Sequence, residues 1–162
     1  MEQHKQISDA DIMYILNNTW EKSKPEWLLA DESEKQQTLE FIKNRLKSTV
    51  AGGYSKIWRT QNNEPIGILG AYKIDIDRYE TFFICSKHME EHSLKLSFDM
   101  RTILRDLAVK YKGYALGQYA EAHRTDQRSW FRFLGFTYKP EGNVANRLYF
   151  EFVSAWPYIW YV

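Results

Sequence analysis

The spacing of apolar residues changes period twice along this chain, and that change limits the fold more than any other feature. Up to residue 50 the apolar side chains recur at helical spacing: Ile12, Ile15, Leu16 and Trp20, then Leu39, Ile42, Leu46 and Val50. Ser8 followed by Asp11 opens the first helix, with an acid in the first turn to complement the helix dipole, and Pro25 breaks it. Ser33 with Gln36 reads as a capping box for the second helix, which Gly52-Gly53 stops. From residue 54 the pattern is that of strands. Tyr54 to Thr60 is rich in aromatic and β-branched residues, and Gln61 to Glu64 is a turn cluster. Pro65 to Ile76 then reads as a second strand and Glu80 to Cys85 as a third. Gly67 and Gly70 mark either a bulge or a close backbone approach.

Helical spacing returns after the polar connector SKHMEEH. Leu96, Met100, Ile103, Leu104, Leu107 and Tyr111 share one face, and Gly113 stands where a helix-ending glycine belongs. Tyr114 to Ala122 follows as a strand, so strand, helix and strand fit a parallel crossover. A short helix capped by Asp126, with Trp130, Phe133 and Leu134 inward and Gly135 closing it, precedes strands at Phe136 to Lys139 and Arg147 to Val153. The order α, α, β, β, β, α, β, α, β, β contains no internal repeat and describes one α/β domain. Its N-terminal helices occupy 1–53, its core sheet and helices 54–153, and an aromatic tail 154–162.

Composition narrows the function classes. Lys and Arg number 22 against 21 Asp and Glu, and a net charge of +1 argues against broad electrostatic binding of nucleic acid. With 44% hydrophobic residues, only 8 Gly and only 4 Pro, the chain is equipped for a packed core rather than disorder. The single Cys85 excludes an intramolecular disulfide and any multi-cysteine metal site, and a reducing, cytoplasmic setting fits it. The polar, acid-bearing start MEQHKQISDAD does not read as a secretory signal. No apolar run approaches the roughly 20 residues that span a bilayer, so no membrane partner is expected. The closing FVSAWPYIWYV carries no charge, and Pro157 argues against a central strand there. Exposed apolar patches mark interfaces, which points to a homodimer or another partner through this tail.

Three stretches then carry a family resemblance: the hairpin GILGAYKID feeding ETFFIC, the helix ending KYKG before YALGQYAEA, and RTDQRSWFRFLGFTY. Together, from Ile57 to Phe152, they resemble the GNAT superfamily of N-acyltransferases. The third stretch is the most specific, with its polar residue, short helix, Leu-Gly-Phe and new strand. The resemblance implies an α/β (α+β) fold with a mixed central sheet of about six or seven strands flanked by helices. It also implies acetyl-CoA-dependent N-acyl transfer to a small amine or a protein amine. Backbone groups at Phe83, Ile84 and Cys85 would bond the pantetheine arm of acetyl-CoA as a neighbouring strand does. Amides at the start of the next helix would meet its pyrophosphate, since helix N-termini attract anions. Lys87, His88, His92 and Lys95 would add positive charge. The amine needs a base and the leaving thiolate a proton donor.

The departures from the family pattern are as specific. Its glycine-bearing pyrophosphate loop corresponds to KHMEEHSLKLS, which has no glycine and places Glu90 and Glu91 where an anion is expected. Its leaving-group tyrosine corresponds to Phe131, which the resemblance therefore sets against the coenzyme, and the asparagine ending its fifth strand to Arg124. Small GNAT-like proteins of tailed bacteriophages, among them the internal virion protein type, also lack the glycine loop and are similar to KYKGYALGQYAEAHRTDQRSWFRFLGFTY. That narrower resemblance implies a catalytically degenerate protein, acetyl-CoA lost, with a structural role and a virion partner.

Candidate residues have plainer readings beside the functional ones. His123, with Glu121, ends the strand beside the expected cleft and suits a general base, or is a half-exposed loop histidine. Glu80 stands where some family members carry a carboxylate base, or caps a hairpin in solvent. Arg124, Arg128 and Arg132, spaced by four, form a ridge suited to the 3′-phosphate of coenzyme A, or a solvated face. His88, Glu91 and His92 have ligand spacing but lack a further strong donor, so no metal is expected. Cys85 has no assignable base and reads as buried. Trp130, Phe131 and Phe133 read as core rather than as a stacking platform.

Overall fold

The Ser8 side chain accepts the Asp11 amide at 3.2 Å while Asp11 accepts the Ser8 amide at 2.9 Å, and this reciprocal cap starts the first helix as its sequence indicates. The computed structural model describes residues 7–49, 52–111, 115–122 and 124–153. Among them are helices α1 (Asp9–Asn17), α2 (Glu32–Thr49), α3 (Met89–Lys110) and α4 (Thr125–Leu134). The strands are β1 (Tyr54–Arg59), β2 (Pro65–Asp75), β3 (Arg78–Cys85), β4 (Ala115–Glu121), β5 (Thr137–Tyr138) and β6 (Arg147–Val153). They form one mixed sheet in the order β1-β2-β3-β4-β6-β5, the α/β class expected. The chain divides into two compact units, Met1–Lys73 with Phe82–Ser93, and Ile74–Thr81 with Leu94–Val162.

In the first unit, Ile12, Ile15 and Leu16 of α1 meet Leu39, Ile42 and Leu46 of α2, and Ile57, Ile68 and Ile84 join the same cluster. Each such side chain contributes roughly 1.5–3 kcal/mol by leaving water. Helix α1 stops at Asn17, before Trp20, and a 3₁₀ turn over Glu21–Glu26 takes in Pro25. Helix α2 begins one residue before Ser33, so Ser33 is not its cap. Asp31 holds that place, accepting the Glu34 amide at 2.9 Å. Val50 lies outside the described residues. Asp11 and Arg59 make a two-pronged ion pair, both bonds 2.9 Å, tying α1 to β1 where the β1–β2 register shifts between Trp58 and Arg59. Gly67 stands beside that register shift, and both glycines are also close approaches: the Phe83 and Phe82 rings lie where Cβ atoms at Gly67 and Gly70 would be.

In the second unit, Arg78–Glu80 pair in parallel with Ala115–Gly117, the crossover expected of a strand–helix–strand succession. Strand β6 runs antiparallel to β4 over all seven residues of each. Helix α3 starts at Met89, so much of the polar connector is helical. Met89 is 2% exposed and lies seven residues before Leu96, on the same apolar stripe. Gly113 and Tyr114 lie outside the described residues. The inward face of α4 is Gln127, Phe131 and Leu134, at steps of four and three, whereas Trp130 and Phe133 are only half-buried. Asp126 does not cap α4. It sits inside the first turn and holds Arg124 through two 3.0 Å bonds. Gly135 ends the helix at φ 112°, a conformation that favours glycine.

Candidate functional site

Two places gather the chemistry, one in each unit. The first is the junction of β3 and α3. Ser86 sends its amide to Ile66 on β2 at 2.8 Å, so Cys85 and Lys87, the alternating residues, present their backbone groups to the opposite edge. There Thr19 pairs with Ser86 in an antiparallel bridge: the Trp20 amide donates to Cys85 at 3.2 Å, and the Lys87 amide donates to Asn18 at 2.7 Å. The next amides are engaged as well. His88 donates to Ser86 Oγ, Met89 to the Ser86 carbonyl, Glu90 to Lys87 and Glu91 to His88, all within 2.9–3.3 Å.

Side chains reinforce this closure. The Trp20 indole donates to Glu90 at 2.8 Å. The His88 ring stacks on Tyr14 with Nε2 2.7 Å from its hydroxyl and 3.3 Å from Glu64. Burial and the neighbouring Glu64 carboxylate hold the Tyr14 phenol above its ordinary pKa. His92 donates to the His88 carbonyl at 2.9 Å. A cavity of ≈ 240 Å³ opens beside these histidines, and Glu64 and Glu91 line it with them. It is a poor host for an anion.

The second place is the β4–β6 face of the second unit. Pairing of Gly117 with Glu151, Tyr119 with Tyr149 and Glu121 with Arg147 sets these six residues on one side of the two strands. Tyr149, 4% exposed, donates its hydroxyl to Glu151 at 2.9 Å, and Arg78 lies 5.6 Å over its ring. Burial first, then the Glu151 carboxylate, push the Tyr149 phenol above its ordinary range against the opposing pull of Arg78. Arg147 covers Tyr119 at 4.8 Å. Gly117 makes room for this arrangement, because a Cβ there would stand 2.6 Å from the Tyr149 hydroxyl oxygen.

The structure distributes the expected residues unevenly. Glu80 is not a hairpin cap: it is half-buried in mid-strand, opposite Gly117. Glu121 is half-buried on the same face but four residues further along β4, about 13 Å away at strand rise, so the two carboxylates are not brought together. His123 lies outside the described residues. Ile84 and Cys85 are buried, Cys85 with its sulfur 3.5 Å from Ser23 Oγ, and Phe83 is half-buried. Lys87 and Lys95 are exposed. Phe131 is 1% exposed, packed among Phe136 and Phe150 inside the second unit, and is core rather than a coenzyme contact. Arg124 is engaged by Asp126.

Sequence reasoning missed Trp20 and Asn18, whose part is played by backbone groups. It also missed Tyr149 with Arg78, although the alternation Arg147, Tyr149, Glu151 is visible in RLYFEFV. Acetyl-CoA, as the sequence resemblance implies it, needs an open strand edge at Cys85 and unspent amides after it. In this arrangement neither is presented, and the residues of the junction do not fit the diphosphate.

No protein-family model matches the sequence, and no curated protein matches it. Solved structures do. An acetyltransferase of Agrobacterium tumefaciens superposes with a TM-score of 0.65 at 14% identity, covering 90% of this chain and 86% of that one. A GNAT-family acetyltransferase of Bacillus anthracis gives 0.62 at 13% identity over 91% of each chain. The fold is that of the GNAT acetyltransferases. The PaiA N-acetyltransferase of Thermoplasma acidophilum, solved in complex with coenzyme A, gives 0.59 at 11% identity over 92% of this chain and 96% of that one. The GNAT likeness therefore reaches beyond Ile57 to Phe152 and takes in the N-terminal helices. Among the described residues no helix is long and apolar enough to cross a membrane.

Proposed function

We propose that this chain is an acyl-CoA-dependent N-acyltransferase of the cytoplasm, acting on a small amine or an exposed amine of a protein. The observation that carries this reading is the reach of the GNAT likeness, about nine-tenths of the chain in each comparison. On the acceptor side the β4–β6 face offers suitable groups. Glu80, half-buried on this face, is the base that takes the proton of the incoming amine. Glu121 and His123, at the end of β4, are the further base candidates. Tyr149 keeps its proton across the physiological range and helps set the charge of the face.

A second reading keeps the fold and drops the transfer, leaving a catalytically degenerate protein that binds a partner, with a phage virion protein as its narrow form. What favours it is the β3–α3 junction, where the amides of Lys87 to Glu91 are all spent within the chain. Thermal unfolding with and without coenzyme A separates the two. A ligand at 100 times its Kd adds about 2.7 kcal/mol, so a clear rise in melting temperature at millimolar coenzyme A supports the transferase. An unchanged melting temperature supports the partner-binding protein.

A further inference from the structure

We propose that Asn18-Thr19-Trp20 is a displaceable strap that occupies the coenzyme edge of β3, and that coenzyme A binds only when the strap leaves. This inference rests on the acyltransferase reading. The strap is a short segment bridged antiparallel, through Thr19, to the edge facing away from β2. It offers one amide, from Trp20 to Cys85, and one carbonyl, from Asn18 to the Lys87 amide. An amide-bearing arm such as pantetheine offers the same pair of groups, one donor and one acceptor per amide, so strap and coenzyme compete for the same atoms of Cys85 and Lys87.

The anchors of the strap are non-covalent, and the Asn18 side chain supplies one by donating to the Tyr14 carbonyl at 2.9 Å. The Trp20 indole is bonded to Glu90 at 2.8 Å, the Thr19 hydroxyl returns to the Ile15 carbonyl at 2.8 Å, and Lys22 lies 5.3 Å over the Trp20 ring. The Glu90 anchor gives the strap a second effect. It pins a carboxylate beside the first turn of α3, where a diphosphate would otherwise be drawn. Releasing Trp20 therefore opens the edge and unpins the repelling charge together. The bridge also ends α1, because the two residues after Asn17 turn away from the helix to reach Ser86. A change in α1 is thereby felt at the edge. Apparent affinity is the intrinsic affinity reduced by the fraction of molecules with the strap off, so a mostly closed strap lowers coenzyme affinity in proportion.

The test is a calorimetric titration of coenzyme A into the full chain and two variants. Trp20→Ala removes the indole anchor, and Trp20→Pro removes the N–H that Cys85 accepts. Amide hydrogen exchange over residues 18–22 is followed in the unaltered chain with and without coenzyme A. The expected result is at least tenfold tighter binding by the variants, and faster exchange of the Trp20 amide when coenzyme A is added. Equal or weaker binding by a folded variant, with Trp20 exchange unchanged, overturns the strap and leaves the acyltransferase reading standing. Should Trp20→Pro not fold, Trp20→Ala decides alone. No binding by any of the three chains overturns the acyltransferase reading, and the strap falls with it.

Discussion

The β3–α3 junction and the β4–β6 face are built from different materials. At the junction the strand edge and the helix start are closed by main-chain groups: the amides of residues 87 to 91, the Cys85 carbonyl, and the bridge from Thr19 to Ser86. On the face the bonds belong to side chains, with Tyr149 held by Glu151 and covered by Arg78, and Tyr119 covered by Arg147. A main-chain network tolerates most substitutions, because any residue but proline supplies the same amide. A side-chain network is undone by a single change. The first is suited to being opened as a piece, the second to being tuned residue by residue.

The largest expected effect tests whether the face rests on a core. Phe131 packs beneath β6 against Phe150, their rings 5.3 Å apart and edge to face. Phe131→Ala should cost about 3–5 kcal/mol in urea unfolding. A loss confined to coenzyme binding, with stability unchanged, would return Phe131 to the coenzyme.

Next in size is the ion pair of the first unit. Burial works to raise the Asp11 pKa, but the Arg59 guanidinium and the Ser8 amide outweigh it and hold the carboxyl below its ordinary value. A depressed carboxylate contributes stability that is present above its unfolded pKa and is lost as pH falls through its folded pKa. Asp11→Asn should therefore cost about 2 kcal/mol at pH 7 and flatten the loss of stability below about pH 4, read from melting temperatures between pH 7 and 2.

Tyr149 gives the second unit the opposite sensitivity. Its pKa is raised, so its contribution is complete below the unfolded value near 10 and declines as pH rises beyond it. Tyr149→Phe should cost about 1 kcal/mol at pH 7, and the variant should lose less stability than the parent between pH 9 and 11. If both units weakened at the same end of the pH scale, the contrast between them would be wrong.

Smallest in stability is Glu80→Gln, expected within about 0.5 kcal/mol of the parent. Once an amine acceptor is found by screening, the same variant should lose on the order of 100-fold in turnover while its melting temperature holds. Full turnover would remove Glu80 as the base.

The elements were largely legible because apolar period is a long-range signal: β6 alternates cleanly, and α2 carries its stripe for three turns. What failed was local competition. Ser33 looked like a cap, but Asp31 stands two residues earlier and takes the Glu34 amide. On α4, hydrophobic character pointed to Trp130 and Phe133, whereas helical spacing from Gln127 selects Phe131 and Leu134. Trp20 was read into the helical stripe because its part is played by a backbone amide, which leaves no mark in residue type. Tyr149 became a site residue only through register, since Arg78 and Gly117 are far from it in the chain and reach it through β4. The family likeness pointed to the junction but not to its occupant.

The two aromatic–glycine contacts, one on each face of the first unit's strands, have a consequence for how this sequence can change over generations. Phe83 fills the space above Gly67, and Phe82 the space above Gly70. Gaining a methyl at either glycine alone sets a side chain against a ring in a packed interior, and trimming either ring alone leaves a void. Each pair is therefore inherited as a unit, and a relative that has lost one member should have altered the other. Gly70→Ala and Phe82→Leu, each harmful singly, should partly rescue one another when combined, with a coupling energy of about 0.5–3 kcal/mol in a double-mutant cycle.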